Sequence, residues 1–297
     1  MPHPLVRIVT DSTAALPQEV RSAFPEIAVV PLSVLFGSDS YREGIDIQPE
    51  AFYRQLMTSP YHPTTSQPSP GDFLAAYQPI LEKGAEIISV HISSFLSGTV
   101  ASALAARGLA DGSVEVLDSQ LTAMGLGFLA LEGARLARQG KDRRAILQRM
   151  QSVRQGIRLY FLVDTLEFLR RGGRIGGTQA LVGSILQVKP ILTITNGRIE
   201  VAEKVPGKKR AYARLLQTVG EARKKHPEAQ IHLAVHEGGA PEAGRELQRR
   251  LEGLLQPVES YCSPLGCALG VHAGPGLVGC VYYLEEDGQV VPAEEVG

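Results

Sequence analysis

The stretch HISSFLSGTVASALAARG, residues 91–108, decides how the first half of this chain folds. Upstream of it, Ile87-Ile88-Ser89-Val90-His91-Ile92 is an apolar run of strand length, and downstream Val100 to Ala106 is rich in helix formers. Between the two lie three serines, a glycine and a threonine. A strand that turns at once into a helix is the opening of a βαβ unit, because parallel strands need a long crossover between them. The flanking pattern repeats the unit. A strand at residues 6–10 ends in Asp11-Ser12-Thr13, which has the chemistry of a helix N-cap or an Asx turn. The apolar run over 27–36 is interrupted by Pro31, which indicates an edge position or a break. A helix starts after Pro49, and residues 58–70 form a polar, proline-rich loop. A helix over 73–83, a strand over 86–92, a helix over 99–108, a strand over 114–117 and helices over 121–139 and 143–155 follow. Strands alternating with helices of this length predict a largely parallel sheet flanked by helices.

The second half has a different pattern. After an apolar run at 160–163 comes TLEFLRRGGRIGG and a helix-like TQALVGSILQV. Asn196-Gly197 is then flanked by alternating apolar residues, which predicts an antiparallel hairpin and so a mixed sheet. A basic helix (208–225), a strand (230–236), a helix (241–254) and a strand (277–284) complete the reading. The fold class is therefore α/β in two domains, 1–157 and 158–297.

Hydrophobic residues make up 44% of the 297 and charged residues 21%, a globular balance, and the formal net charge of -1 gives no general attraction for nucleic acid. No apolar run is long enough to span a bilayer. Cys262, Cys267 and Cys280 are odd in number, and their spacing lacks a neighbouring histidine pair. They read as reduced thiols of a cytoplasmic protein rather than as a zinc site. No metal and no cofactor is expected. The basic stretch 204–225 reads as a solvated helix face.

Three segments carry candidate chemistry. A helix opening leaves four backbone N–H groups unpaired and carries partial positive charge, so the turn after residue 92 suits an anion. Ser93, Ser94, Ser97 and Thr99 add neutral donors there, and Gly98 allows close backbone approach. The turn has no lysine and no GxxxxGK spacing, which argues against a nucleotide triphosphate loop. TTSQPSP, residues 64–70, is stiffened by two prolines and presents Thr64, Thr65, Ser66 and Gln67. GVHAGPGLVG places His272 among Gly270, Gly274, Gly276 and Gly279, a setting of tight backbone turns that leaves its ring unshielded.

Taken in order, VTDSTAALP, TSQPSP, HISSFLSGT, TLEFLRRGGRI, ILQVKPIL followed by GRI, and GVHAGPG resemble the DegV family of bacterial lipid-binding proteins, from Val9 to Gly276. The resemblance implies a two-domain α/β protein holding a long-chain fatty acid between its domains. The best-understood members are fatty acid-binding subunits (FakB type) of bacterial fatty acid kinase. These present the carboxylate to a separate ATP-dependent catalytic subunit that makes acyl phosphate for phospholipid synthesis. Residue by residue, it implies head-group contacts at Thr65, at Ser93 with Ser94 adjacent, and at His272. Thr64 precedes Thr65, so either register meets the pattern. Arg171 and Arg174 match an arginine-bearing turn that faces the kinase or the transferred phosphate. The implied partners are a long-chain fatty acid, the kinase subunit and a transient or peripheral membrane contact.

The residues favour a carrier over a catalyst, since no nucleotide site with metal-binding carboxylates is present. Expected tunnel walls are Phe95, Leu96, Leu166, Leu169, Ile175, Leu181, Ile185 and Leu186. The alternative is a serine-dependent acyl hydrolase using Ser93 or Ser94 with His272 and Asp118 or Asp164. HISSF lacks the G-x-S-x-G elbow that would support it.

Overall fold

The computed structural model describes residues 5–181 and 188–293, with the side chains of 179–181 excepted. Val6–Asp11 lies inside a four-stranded, wholly parallel sheet in the order Ala28–Val30, Val6–Asp11, Glu86–His91, Val114–Asp118. The apolar run at 27–36 divides at Pro31 into two strands of different sheets. Ala28–Val30 is the edge of the parallel sheet, and Ser33–Phe36 is the centre of a three-stranded antiparallel sheet between Asp39–Arg42 and Thr64–Ser66. Residues 58–70 are thus not all loop: Thr64–Ser66 pairs with Ser33–Phe36, and three residues are too few for an alternation to show in sequence. Pro70–Leu81 begins with a capping box, in which the Ser69 hydroxyl accepts from the Asp72 N–H at 3.2 Å and the Asp72 carboxylate accepts from the Ser69 N–H at 2.8 Å.

The remaining strands build a seven-stranded mixed sheet. Its main order is Arg198–Pro206, Val188–Thr195, Arg158–Leu162, Val278–Glu286, Gln230–Glu237, Glu259–Pro264, and Gln289–Val290 pairs with Val278–Glu286. Asn196 (φ 50) and Gly197 (φ 78) both take positive φ, as a two-residue type I′ hairpin turn requires. The helix read over TQALVGSILQV is represented by a 3-10 segment, Gly176–Leu181; residues 182–187 lie outside the described residues. Lys208–Lys225 and Pro241–Leu255 cover this sheet through Leu215, Val219, Leu247 and Leu251.

The glycines around His272 do not all mark turns. Gly270 lies within a helix, Cys267–Ala273, and Gly279 within a strand. A Cβ at Gly270 would come 2.6 Å from the Phe52 ring and 2.7 Å from the Tyr53 hydroxyl, so glycine here permits helix packing. Gly274 and Gly276 do take positive φ. His272 therefore sits in the last turn of a short helix.

Ala123–Arg138 joins the layers. It is buried without interruption from Ala123 to Ala134, Glu132 included, and it packs between the parallel sheet and the mixed sheet. A Cβ at Gly133 would approach Ile8 of the parallel sheet to 2.9 Å. On the other side, Phe128 meets Tyr283 edge to face at 5.2 Å. One core cluster consequently runs through both halves, from Ile8 and Leu126 to Phe161 and Val281. At the end of the same helix, buried Glu132 binds Arg135 and Arg149, which reach Glu259 and Glu285 on the mixed sheet.

Candidate functional site

Asp11 closes the first strand and fixes the start of the hydroxyl turn. Its carboxylate accepts from the Thr13 and Ile92 N–H groups, each at 3.0 Å, and lies 3.1 Å from His91 Nδ1. Past Ile92 the two serines separate. Ser93 is buried, and its hydroxyl donates to the Gly197 carbonyl at 2.8 Å, at the tip of the hairpin. Ser94 is exposed and donates to Asp118 Oδ2 at 2.6 Å. Gly98 faces Gln67: a Cβ there would lie 2.0 Å from Gln67 Oε1, whose amide nitrogen donates to the Ser102 hydroxyl at 3.0 Å. Glycine at 98 lets the TTSQP segment lie directly on the turn.

Strand alternation settles which threonine points inward. Thr64 and Ser66 are exposed, whereas Thr65 is half-buried and its hydroxyl lies 2.9 Å from His272 Nε2. Burial, with the Arg174 guanidinium and His62 adding to it, pushes the His272 ring down to about 4. The imidazole is neutral at pH 7 and offers both a donor and an acceptor. Its Nδ1 is buried without a hydrogen-bond partner and rests on Gly172, where a Cβ would approach it to 2.0 Å.

The two arginines of RRGGR part company. Arg174 turns inward, donating from Nε to the Leu96 carbonyl at 3.0 Å and from Nη1 to the Gly172 carbonyl at 2.7 Å. Arg171 stays on the surface, 2.7 Å from Glu167, whose carboxyl is held at about 2 by Arg170 and Arg171.

Behind these groups lies an apolar pocket that opens partly to solvent. Ile92 and Leu96 of the hydroxyl turn line it, with Leu169, Leu269, and Leu159, Phe161, Ile194, Ile199 and Val281 of the mixed sheet. Among the described residues that line it, Arg174 alone carries a fixed charge. His236 also borders the space. Burial pushes it down to about 4, and its Nε2 accepts from the Met124 N–H at 3.1 Å, so it too is neutral.

Of the expected walls, Leu96 and Leu169 line the cavity, while Leu166 is buried in the core beside it and Ile175 packs on the core's edge. Phe95 is half exposed and faces away, with the Arg198 guanidinium stacked 3.8 Å over its ring. Ile185, Leu186 and the side chain of Leu181 lie outside the described residues. The wall residues from the mixed sheet escape sequence reading. Leu159 and Phe161 show a two-residue period, but the sequence does not say which face meets a cavity.

A hydrolytic triad is not assembled from the expected parts. Ser93 and Ser94 donate to Gly197 and Asp118, His272 Nε2 faces Thr65, and Asp164 lies 2.5 Å from the Lys208 ammonium. Among the described residues no group of three or more His, Cys, Asp or Glu is placed to hold a metal ion, and the three cysteines are free. No described helix is long and apolar enough to cross a membrane.

These features have close counterparts. A family model described as an uncharacterised protein of the DegV family matches residues 5–285. A Thermus thermophilus structure, described as fatty acid binding of a DegV family protein, superposes with a TM-score of 0.86 at 36% identity, covering 94% of this chain and 99% of that one. The Bacillus subtilis DegV structure, described as a fatty acid binding protein, gives 0.85 at 35% identity with the same coverages. A stearic acid-binding protein from Eubacterium ventriosum gives 0.86 at 26% identity, covering 93% of this chain and 97% of that one. With the family pattern running from the first strand to the last long one, and the whole architecture shared, this chain belongs to the DegV family.

Proposed function

We propose that the protein binds a long-chain fatty acid, tail in the apolar cavity and carboxylate at its polar end, and presents that carboxylate to a separate ATP-dependent fatty acid kinase. The observation that carries the binding reading is an apolar cavity bordered by Arg174 and by His272, which is itself paired with Thr65. A fatty acid carboxyl has a reference pKa near that of Glu, about 4.3, and enters as an anion. Burying it costs several kcal/mol unless donors surround it. Arg174 supplies the charge-assisted contact and Thr65 and His272 the neutral groups, while Ser93, whose hydroxyl proton goes to the Gly197 carbonyl, holds the hairpin tip against the turn.

Most of the affinity belongs to the tail. About fourteen methylenes at roughly 0.8 kcal/mol each give about 11 kcal/mol before association costs, whereas each head-group hydrogen bond adds roughly 1.5 to 3. The head group sets register, which is what a presenting subunit needs. In this reading residues 1–157 carry the hydroxyl-bearing carboxylate loops, and 158–297 close over the tail and add Arg174 and His272 at the polar end. Helix Cys267–Ala273 crosses back to pack on Pro49–Thr58. The setting is cytoplasmic, with transient membrane contact for loading. Native mass spectrometry of protein purified from bacteria should show the added mass of one long acyl acid. Protein that is empty and also ignores added palmitate and oleate would overturn the reading.

A further inference from the structure

We infer that Glu43 is a positioning residue that holds His272 in register with Thr65. The inference rests on the fatty acid reading of that site. Thr65 and His272 come from elements far apart in sequence, a strand of the three-stranded sheet and the helix Cys267–Ala273, and their contact at 2.9 Å requires something to fix one against the other. Glu43 continues the chain of that sheet directly after Asp39–Arg42, and its N–H donates to the Leu32 carbonyl at 2.9 Å. Its buried carboxylate then crosses to the helix, where Oε1 accepts from the Ala268 N–H at 3.3 Å. The helix has no side-chain cap of its own, and a Cβ at Gly266 would meet Glu43 Oε1 at 2.2 Å, so glycine is what admits the carboxylate.

The other oxygen extends the linkage. Glu43 Oε2 accepts from the Ser12 hydroxyl at 2.6 Å, and Ser12 in turn accepts from the Leu32 N–H at 3.0 Å. Ser12 follows Asp11, which holds the Ile92 N–H one residue before Ser93. One dipeptide thus ties together the sheet with Thr65, the helix with His272 and the turn with Ser93.

Burial raises Glu43 to about 7, with Asp11 adding to it; the Cys267 thiol, Tyr53, Glu50 and Arg21 also surround it or its cleft. His272, at about 4, does not titrate in that range.

The test is carbon-13 NMR of [1-13C]palmitate bound to the full chain, with affinity measured alongside. In the wild type the bound carboxyl resonance shifts with a midpoint near pH 7 as Glu43 ionises. In Glu43→Gln, which keeps an acceptor for Ala268 but cannot ionise, that step vanishes and the resonance stays sharp. In Glu43→Ala it broadens or moves, while palmitate affinity falls by no more than about tenfold because the tail dominates. If both variants fold and leave the wild-type pH step in place, Glu43 has no such role although the fatty acid reading survives. If the wild type binds no palmitate, both fall.

Discussion

An Ile194→Trp variant will bind palmitate at least about a hundredfold more weakly than the wild type, yet unfold at no lower a urea concentration. Ile194 lines the cavity from the mixed sheet and is only partly buried, so the larger side chain has the cavity itself to enter. An indole there displaces roughly four or five methylenes of the ligand. At about 0.8 kcal/mol each this is about 3 to 4 kcal/mol, or two to three orders of magnitude in affinity. Filling an apolar void costs the fold little, in contrast to overpacking a full core. The check is a fatty acid displacement titration beside a urea unfolding curve. Undiminished affinity in a folded variant would place the acyl chain elsewhere.

The second large effect concerns stability. Phe128→Ala should lower the free energy of unfolding by about 3 to 5 kcal/mol. Phe128 is fully buried on the helix that joins the two sheets, and it packs on Tyr283 at 5.2 Å and Tyr261 at 6.5 Å. Tyr261 is tied to Glu259 at 2.7 Å and Tyr283 is stacked on His232 at 4.3 Å, so neither ring is free to fill the void. A shift in the urea midpoint with an unchanged slope is the expected signature. A loss below about 1 kcal/mol would mean that the layers are held otherwise, with the Glu132–Arg135–Glu259 linkage the first alternative to test.

What the sequence discloses depends on how local the determining physics is. The Asn196-Gly197 hairpin is legible because two consecutive positive φ angles demand those residues. Lys208–Lys225 is legible end to end because its apolar stripe at Ala211, Leu215 and Val219 is sustained over several turns. Glu259–Pro264 has no such marker, since all six residues are half-buried and no alternation arises. The helix carrying His272 is hidden for a different reason. Its glycine at 270 is demanded by Phe52 and Tyr53, more than two hundred positions away, and reads locally as a helix breaker.

The same division runs through the site. The segments that carry the candidates Thr65, Ser93 and His272 stand out as hydroxyl- and glycine-rich punctuation, and the resemblance is what implies a head-group role for them. The separation of Ser93 from Ser94 and of Arg174 from Arg171 depends on partners elsewhere, namely Gly197, Asp118, Leu96 and Glu167. The cavity walls are the least legible part, because a residue facing a void and a residue facing a packed neighbour carry the same apolar signature.

The central claim, that the tail supplies the affinity and the polar end the register, is tested most directly by dissociation constants for saturated acids of about ten to eighteen carbons. The constant should fall about fourfold with each added methylene until the cavity is full, with the same slope in a Thr65→Val variant. A constant that does not change with chain length would contradict it.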